Sequence, residues 1–221
     1  MISAQDVTRV VRAARSLPPT EETYLDDDFV MSLLETVLDY RMNTLAVARA
    51  LDHFRDERWD EVRTLDDLED VFTRFPDDKE GNTGLAQYLW GYDLWTRAHQ
   101  LRELAQYFGR IGVSDEEQLR RWAERSEFKR DFEGRVKGLG IAVYQWLVMR
   151  QGVDTVKPDV HVRRFAEAAV GRSLNDEEVV AVVSEAARRL GLKAFDLDWR
   201  IWKASRGRTP PHPTAPISKD T

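Results

Sequence analysis

The sequence predicts an all-α protein, and three features carry the prediction. Apolar residues recur at three- and four-residue intervals through almost the whole chain, which is the spacing of one helix face. Alternation of the strand type does not persist beyond about four or five positions. Start and stop signals of helical type punctuate the periodic stretches, such as Asn175 with Glu178 and the Gly191 that follows Arg188, Arg189 and Leu190.

In chain order, the periodicity predicts helices over 3–16, 27–40, 43–57, 65–73, 83–108, 115–125, 127–134, 141–151, 160–170, 175–190 and 196–206. The first places Val7, Val10, Val11, Ala14 and Leu17 on one face and Arg9, Arg12 and Arg15 elsewhere. A transit peptide has that character, but Asp6 argues for a packing helix. Leu17 to Thr20 reads as a loop, as does Phe75-Pro76-Asp77-Asp78-Lys79-Glu80-Gly81-Asn82. Asp26, Asp27 and Asp28 precede Phe29, where carboxylates complement a helix start. A divalent-metal site is the sharper alternative there, and no second acidic cluster has a spacing that would converge on it. Ser114 with Glu117 has the pattern of a capping box. The end of the chain, with Pro210, Pro211, Pro213 and Pro216 and almost no apolar anchor, reads as a disordered tail over 208–221.

Composition narrows the function. A chain of 221 residues can bury roughly 70 to 75% of its unfolded surface without staples. It contains no Cys, which excludes disulfides, Cys-ligated zinc and iron–sulfur clusters. His53, His99, His161 and His212 are scattered with no metal-ligand spacing, so neither metal nor cofactor is expected. No run approaches the roughly 18 apolar residues of a membrane span, and the N-terminus has no signal-peptide core. The expectation is a soluble cytoplasmic protein without a membrane partner, nucleoid-associated if bacterial.

The net charge of −6 is unfavourable for a nucleic-acid binder taken as an average. The average hides a split. Residues 1–118 hold 13 basic against 25 acidic side chains, whereas 119–208 hold 19 against 13. A basic face in the second part suits a reader of the DNA backbone, and ordinary solvated surfaces are the competing account.

That second part contains Val136-Lys137-Gly138-Leu139-Gly140 and, 21 positions after Gly138, the acid of Lys157-Pro158-Asp159-Val160-His161. A Gly-x-Gly turn at a helix mouth exposes backbone N–H groups to an anionic oxygen such as a DNA phosphate. One helix and a return loop fit the interval and would bring the Asp159 carboxylate back beside the turn. The plainer account is a Gly turn that joins two helices and an Asp159 that caps the next one; both accounts can hold together.

Residues 127–165, read as helix, Gly-Leu-Gly hairpin, helix, Gly/Pro-containing loop and acid, resemble the helix-hairpin-helix DNA glycosylases. The likeness extends over 24–207, with hairpin 135–141 and acid loop 152–160, behind an N-terminal helix and linker at 1–23. Phe29 to Phe54, Gly84 to Phe108 and Leu197 to Trp202 resemble further helices of that family. The resemblance implies a two-lobed helical fold and excision of a damaged or alkylated base from double-stranded DNA. Gly138 and Gly140 would hold a phosphate with help from Lys137 and Arg135, and Asp159 would be catalytic. A carboxylate there stabilises the positive charge that develops on the sugar and orients or deprotonates the attacking water.

The chain also departs from that pattern. Ala142 stands where lyase-competent members carry a Schiff-base Lys, so the implied activity is monofunctional. Tyr144 occupies a position that is usually small. Asp39-Tyr40-Arg41 replaces the residues that fill the gap left by an extruded base, with Arg41 able to wedge or touch DNA. Of the seven Trp most should be core; Tyr144 and Trp95 are the candidates for lining a base pocket. These departures support an alternative, a non-catalytic protein of the same fold that binds DNA structure or lesions. A third reading is an all-α protein-interaction domain with no nucleic-acid role, and the sequence leaves protein partners unknown.

Overall fold

Among the described residues all regular structure is helical, and the computed structural model describes 1–20, 28–39 and 42–206. The helices are α1 (Ala4–Ala14), α2 (Phe29–Leu38), α3 (Thr44–Glu57), α4 (Leu65–Thr73), α5 (Lys79–Trp90), α6 (Trp95–Arg110), α7 (Glu116–Arg125), a π turn (Phe128–Phe132), α8 (Ile141–Arg150), α9 (Val160–Val170), α10 (Asp176–Leu190) and α11 (Ala194–Arg206). Among these residues no helix is long and apolar enough to cross a membrane. The described chain divides into two units. One joins residues 1–20 to 144–206, the other holds those from 28 to 143, and the division falls inside α8.

The first unit is a packing of α1, α9, α10 and α11. Val7, Val10, Val162, Ala166, Val182 and Ile201 are among its buried core residues, so the face predicted for the first helix is a core face. The alanines and valines on these helices are small enough for close approach between axes. Ser3 with Asp6 and Asn175 with Glu178 form capping boxes, and Gly191 ends α10 in the left-handed conformation, at φ +70°.

In the second unit, α6 packs against α2, α4 and α5, and α3 packs against α5. All of α2 from Phe29 to Leu38 is buried, as a helix apolar on nearly every side requires. Asp28 caps it by accepting from the Met31 N–H at 2.8 Å.

Four expectations need correction. The single helix expected over 83–108 is two helices, because Gly91 turns left-handed at φ +74° and closes α5 onto the Gln87 carbonyl. The loop expected to run through Asn82 ends at Asp78, whose side chain accepts from Gly81 N–H at 2.7 Å and starts α5. Gly81 is glycine because a Cβ there would stand 2.1 Å from the Pro76 carbonyl oxygen. Asp115, not Ser114, caps α7 by accepting from Gln118 N–H at 2.8 Å. The helix expected over 127–134 is a π turn, its wider ring closed by Glu133 N–H donating to Phe128 O at 2.8 Å.

The buried Arg102 ties the second unit together. Its guanidinium donates to Asn82 Oδ1 at 2.9 Å, to Phe72 O at 2.9 Å and to Phe75 O at 2.7 Å. It thereby supplies a donor to the Phe75 carbonyl just beyond α4 and a second one to the Phe72 carbonyl, which also accepts from Phe75 N–H at 3.3 Å.

Candidate functional site

Two arrangements of polar side chains stand out, one in each unit. In the first unit Pro158 leads into α9 and Asp159 is its N-cap, with extended backbone at φ −75° and ψ 180°. Asp159 Oδ1 accepts from His161 N–H at 2.7 Å and from Val162 N–H at 2.9 Å. The second oxygen, Oδ2, accepts no hydrogen bond among the described residues. The side chain is half-buried. The capping account of Asp159 is therefore correct, and it leaves one carboxylate oxygen uncommitted.

Asp198, on α11, is 7% exposed and accepts from the Lys157 backbone N–H at 2.7 Å. Burial pushes its carboxyl up to about 8, and the neighbouring charge of Asp159 pushes the same way. The Lys157 N–H and ammonium offset only part of this. At neutral pH Asp198 therefore holds its proton, since burial disfavours the ionised form. The Lys157 ammonium lies 4.5 Å from the Trp146 ring centroid, His161 Nδ1 lies 2.9 Å from Ser205 Oγ, and Trp199 stacks on Trp202 at 4.6 Å. A fixed carboxylate, a protonated carboxyl group and an ammonium are the components of proton transfer and cation stabilisation. Sequence reasoning missed Asp198, and an acid amid Leu197, Trp199 and Ile201 was the available signal.

In the second unit the hairpin turns at Gly138, which has φ +84°, and both Gly138 and Gly140 are exposed. A Cβ on Gly140 would meet nothing within 4 Å, so its backbone is open to a close approach. α8 begins at Ile141; Val143 N–H donates to Gly140 O at 3.1 Å, and the N–H groups before it in the first turn have no intrahelical acceptor. Val136 and Leu139 are buried and anchor the turn, while Lys137 and Arg135 are exposed. Gln100 of α6 braces it: its Nε2 donates to Lys137 O at 3.1 Å and its Oε1 accepts from Arg97 at 2.9 Å. The sequence carried no sign of that brace beyond a polar side chain on an apolar helix face.

The remaining candidates are dispersed. Trp95, at the start of α6, is 37% exposed, while Tyr144 in the other unit is buried. Tyr40 and Arg41 lie outside the described residues, as do Asp26, Asp27 and the tail. Among the described residues no group of three or more His, Asp or Glu side chains is disposed to hold a metal ion.

Fold and side chains together define an all-helical protein with an exposed glycine hairpin in one unit and a capped carboxylate beside a buried acid in the other. The chain belongs to the family described as a domain of unknown function, DUF8548, which matches residues 40–206. No curated protein and no solved structure matches the chain.

Proposed function

We propose that the protein binds double-stranded DNA through the Gly138–Gly140 hairpin and hydrolyses the N-glycosidic bond of a damaged or alkylated base with Asp159. The observation that carries the reading is the division of labour within the Asp159 carboxylate, with Oδ1 held by two backbone N–H groups and Oδ2 uncommitted. Two charge-assisted bonds fix the orientation of the group, as a positioned base requires. Water supplies the oxygen that bonds to the anomeric carbon and gives its proton to Oδ2. The bond to the base breaks and its electron pair leaves with the base nitrogen. A base alkylated at a ring nitrogen is cationic and departs neutral, so it needs no proton from an acid. Ala142 offers no amine for a lyase step. The setting that goes with this activity is the cytoplasm, or the nucleoid in a bacterium.

The test uses duplexes carrying one alkylated, deaminated or oxidised base, followed by alkali to cut at abasic sites. Base release by the native protein and its loss in Asp159→Asn support the reading, because Asn caps a helix about as well as Asp. Duplex binding that persists in Asp159→Asn, with no base released from any lesion, gives the non-catalytic alternative instead. Absence of binding even at low salt removes both.

A further inference from the structure

The second unit also contains a cleft of about 810 Å³ at the end of α6, along α7 and against the π turn. Five arginines line it: Arg110, Arg121, Arg125, Arg130 and Arg135. Asp131 is the only acid among the lining residues, and it is occupied. Arg130 Nε donates to both its oxygens, at 2.9 and 3.0 Å, and Glu127 N–H donates to it at 2.7 Å. Arg121 pairs with the exposed Glu117, a contact that water and salt weaken. Arg110 and Arg125 pair with no carboxylate among the described residues. Arg130 is itself paired with Asp131 at 2.8 Å and with Glu127 at 3.3 Å, so the like charge left without a carboxylate among the described residues is that of Arg110, Arg125 and Arg135, and its mutual repulsion is a cost to the fold. An anionic ligand removes that cost.

The arginines are also arranged. Arg130 Nη2 donates to the Arg125 carbonyl at 2.7 Å, and Arg135 Nη2 donates to the Arg130 carbonyl at 3.1 Å. The recurring interval of five residues runs through the π turn, whose hydrogen bonds span the same interval. Trp122 also lines the cleft, edge-on to Phe108 at 5.0 Å and to Tyr107 at 6.3 Å.

We propose that this cleft binds successive phosphates of the DNA strand held by the hairpin, extending one backbone-reading surface from Gly140 through Arg135 to Arg125 and Arg110. Arg135 decides between a strand and a small anion, because it lines the cleft and stands three residues before Gly138. Hairpin and cleft therefore share one short segment of chain. Guanidinium forks match phosphate oxygens in pairs. This extension rests on the DNA-binding half of the proposed function and is independent of Asp159.

The test measures binding of the full chain to a fluorescent 20-base-pair duplex by anisotropy over a salt series. The double variant Arg110→Gln/Arg125→Gln removes two exposed side chains without a carboxylate partner, and its melting temperature should match the native protein's. Its affinity should fall about tenfold or more at low salt, and the slope of log Kd against log salt should drop by about 2, the loss of two phosphate contacts. Arg110→Lys/Arg125→Lys should restore most of the slope. If Gly140→Ala weakens binding while the Gln variant leaves affinity and slope unchanged, the cleft proposal is overturned and the hairpin reading stands. If the native protein binds no duplex, both fall. Calorimetric binding of ATP or inorganic phosphate that the Gln variant abolishes, with duplex affinity intact, also overturns it and makes the cleft a small-anion site.

Discussion

Replacing Asp198 by Asn should abolish a fall in stability with rising pH on the neutral side, and the size of the effect follows from the burial of that carboxyl group. Its ordinary value is 3.8 and its value in the folded protein is about 8. Between those limits the native state binds a proton that the unfolded state has released. Stability therefore falls as pH rises through this window and is level below and above it. Each unit crossed costs about 1.4 kcal/mol, so the whole window is on the order of 5 kcal/mol. The group is 7% exposed, so solvent screens little of this. A loss of that size is a large fraction of the 5 to 15 kcal/mol by which domains are usually stable.

The variant keeps an oxygen to accept from the Lys157 N–H but carries no charge at any pH. Urea unfolding of both proteins at pH 5, 6, 7, 8 and 9 gives the difference directly. The native protein should lose ground steadily against Asp198→Asn up to about pH 8 and then run parallel to it. Carboxylates such as Glu178 and Glu185, held down to about 2 by their arginine and amine partners, act in the opposite sense. Their contribution is present above about pH 4.5 and is lost only in acid, so it does not enter the comparison. A difference that is flat from pH 5 to pH 8 refutes the argument. Because the Asp159 charge is the second cause of the elevation, Asp159→Asn should move the window to lower pH.

Gly138→Ala forces a side chain onto φ +84° and sets its Cβ 2.8 Å from Gln100 Nε2; it should cost about 1 to 2 kcal/mol in urea unfolding. Gly140→Ala meets open space and should leave stability within about 0.5 kcal/mol while weakening duplex binding in anisotropy. Unchanged binding would mean that no phosphate sits against that glycine. Arg102→Met strands the Phe75 carbonyl and Asn82 Oδ1 and leaves Phe72 O only its backbone donors, and thermal melting should register a loss of about 3 kcal/mol. Gly81→Ala drives a methyl group into the Pro76 carbonyl and should cost about 3 kcal/mol by the same measurement.

The sequence made most helices legible because their ends carry their own chemistry. α4 and α9 lie where the pattern set them, at 65–73 and 160–170, and the Asn175–Glu178 box and Gly191 bracket α10. The misses have physical causes. Gly91 lies inside a pattern that remains apolar on both sides, so the break depended on a backbone angle that periodicity does not encode. Asp78 was hidden in a stretch whose Pro, Asp and Gly content suggests a loop, although one of those acids starts a helix. The capping role of Asp159 was legible from Pro158 before it and a helical run after it. The acid that changes its surroundings was not, because Asp198 meets the Lys157 backbone across 41 positions through the packing of α11. Gln100 escaped for the same reason, reaching the hairpin across 37 positions.

In the proposed function the reactive carboxylate is also a helix cap. Two N–H donors hold one oxygen and hence the plane of the group, so orientation costs no further side-chain entropy when a substrate arrives. The difficulty is the second acid, since the half-buried Asp159 and the buried Asp198 would repel if both were charged. Protonation of Asp198 resolves it, leaving the pair with one negative charge in place of two and a hydroxyl that can donate. An Asn at that position would accept from Lys157 equally well, without the penalty that burial imposes on Asp198 above its elevated pKa. In the proposed function Asp198 acts on Asp159 alone: its protonation leaves Asp159 as the one charged carboxylate of the pair at neutral pH.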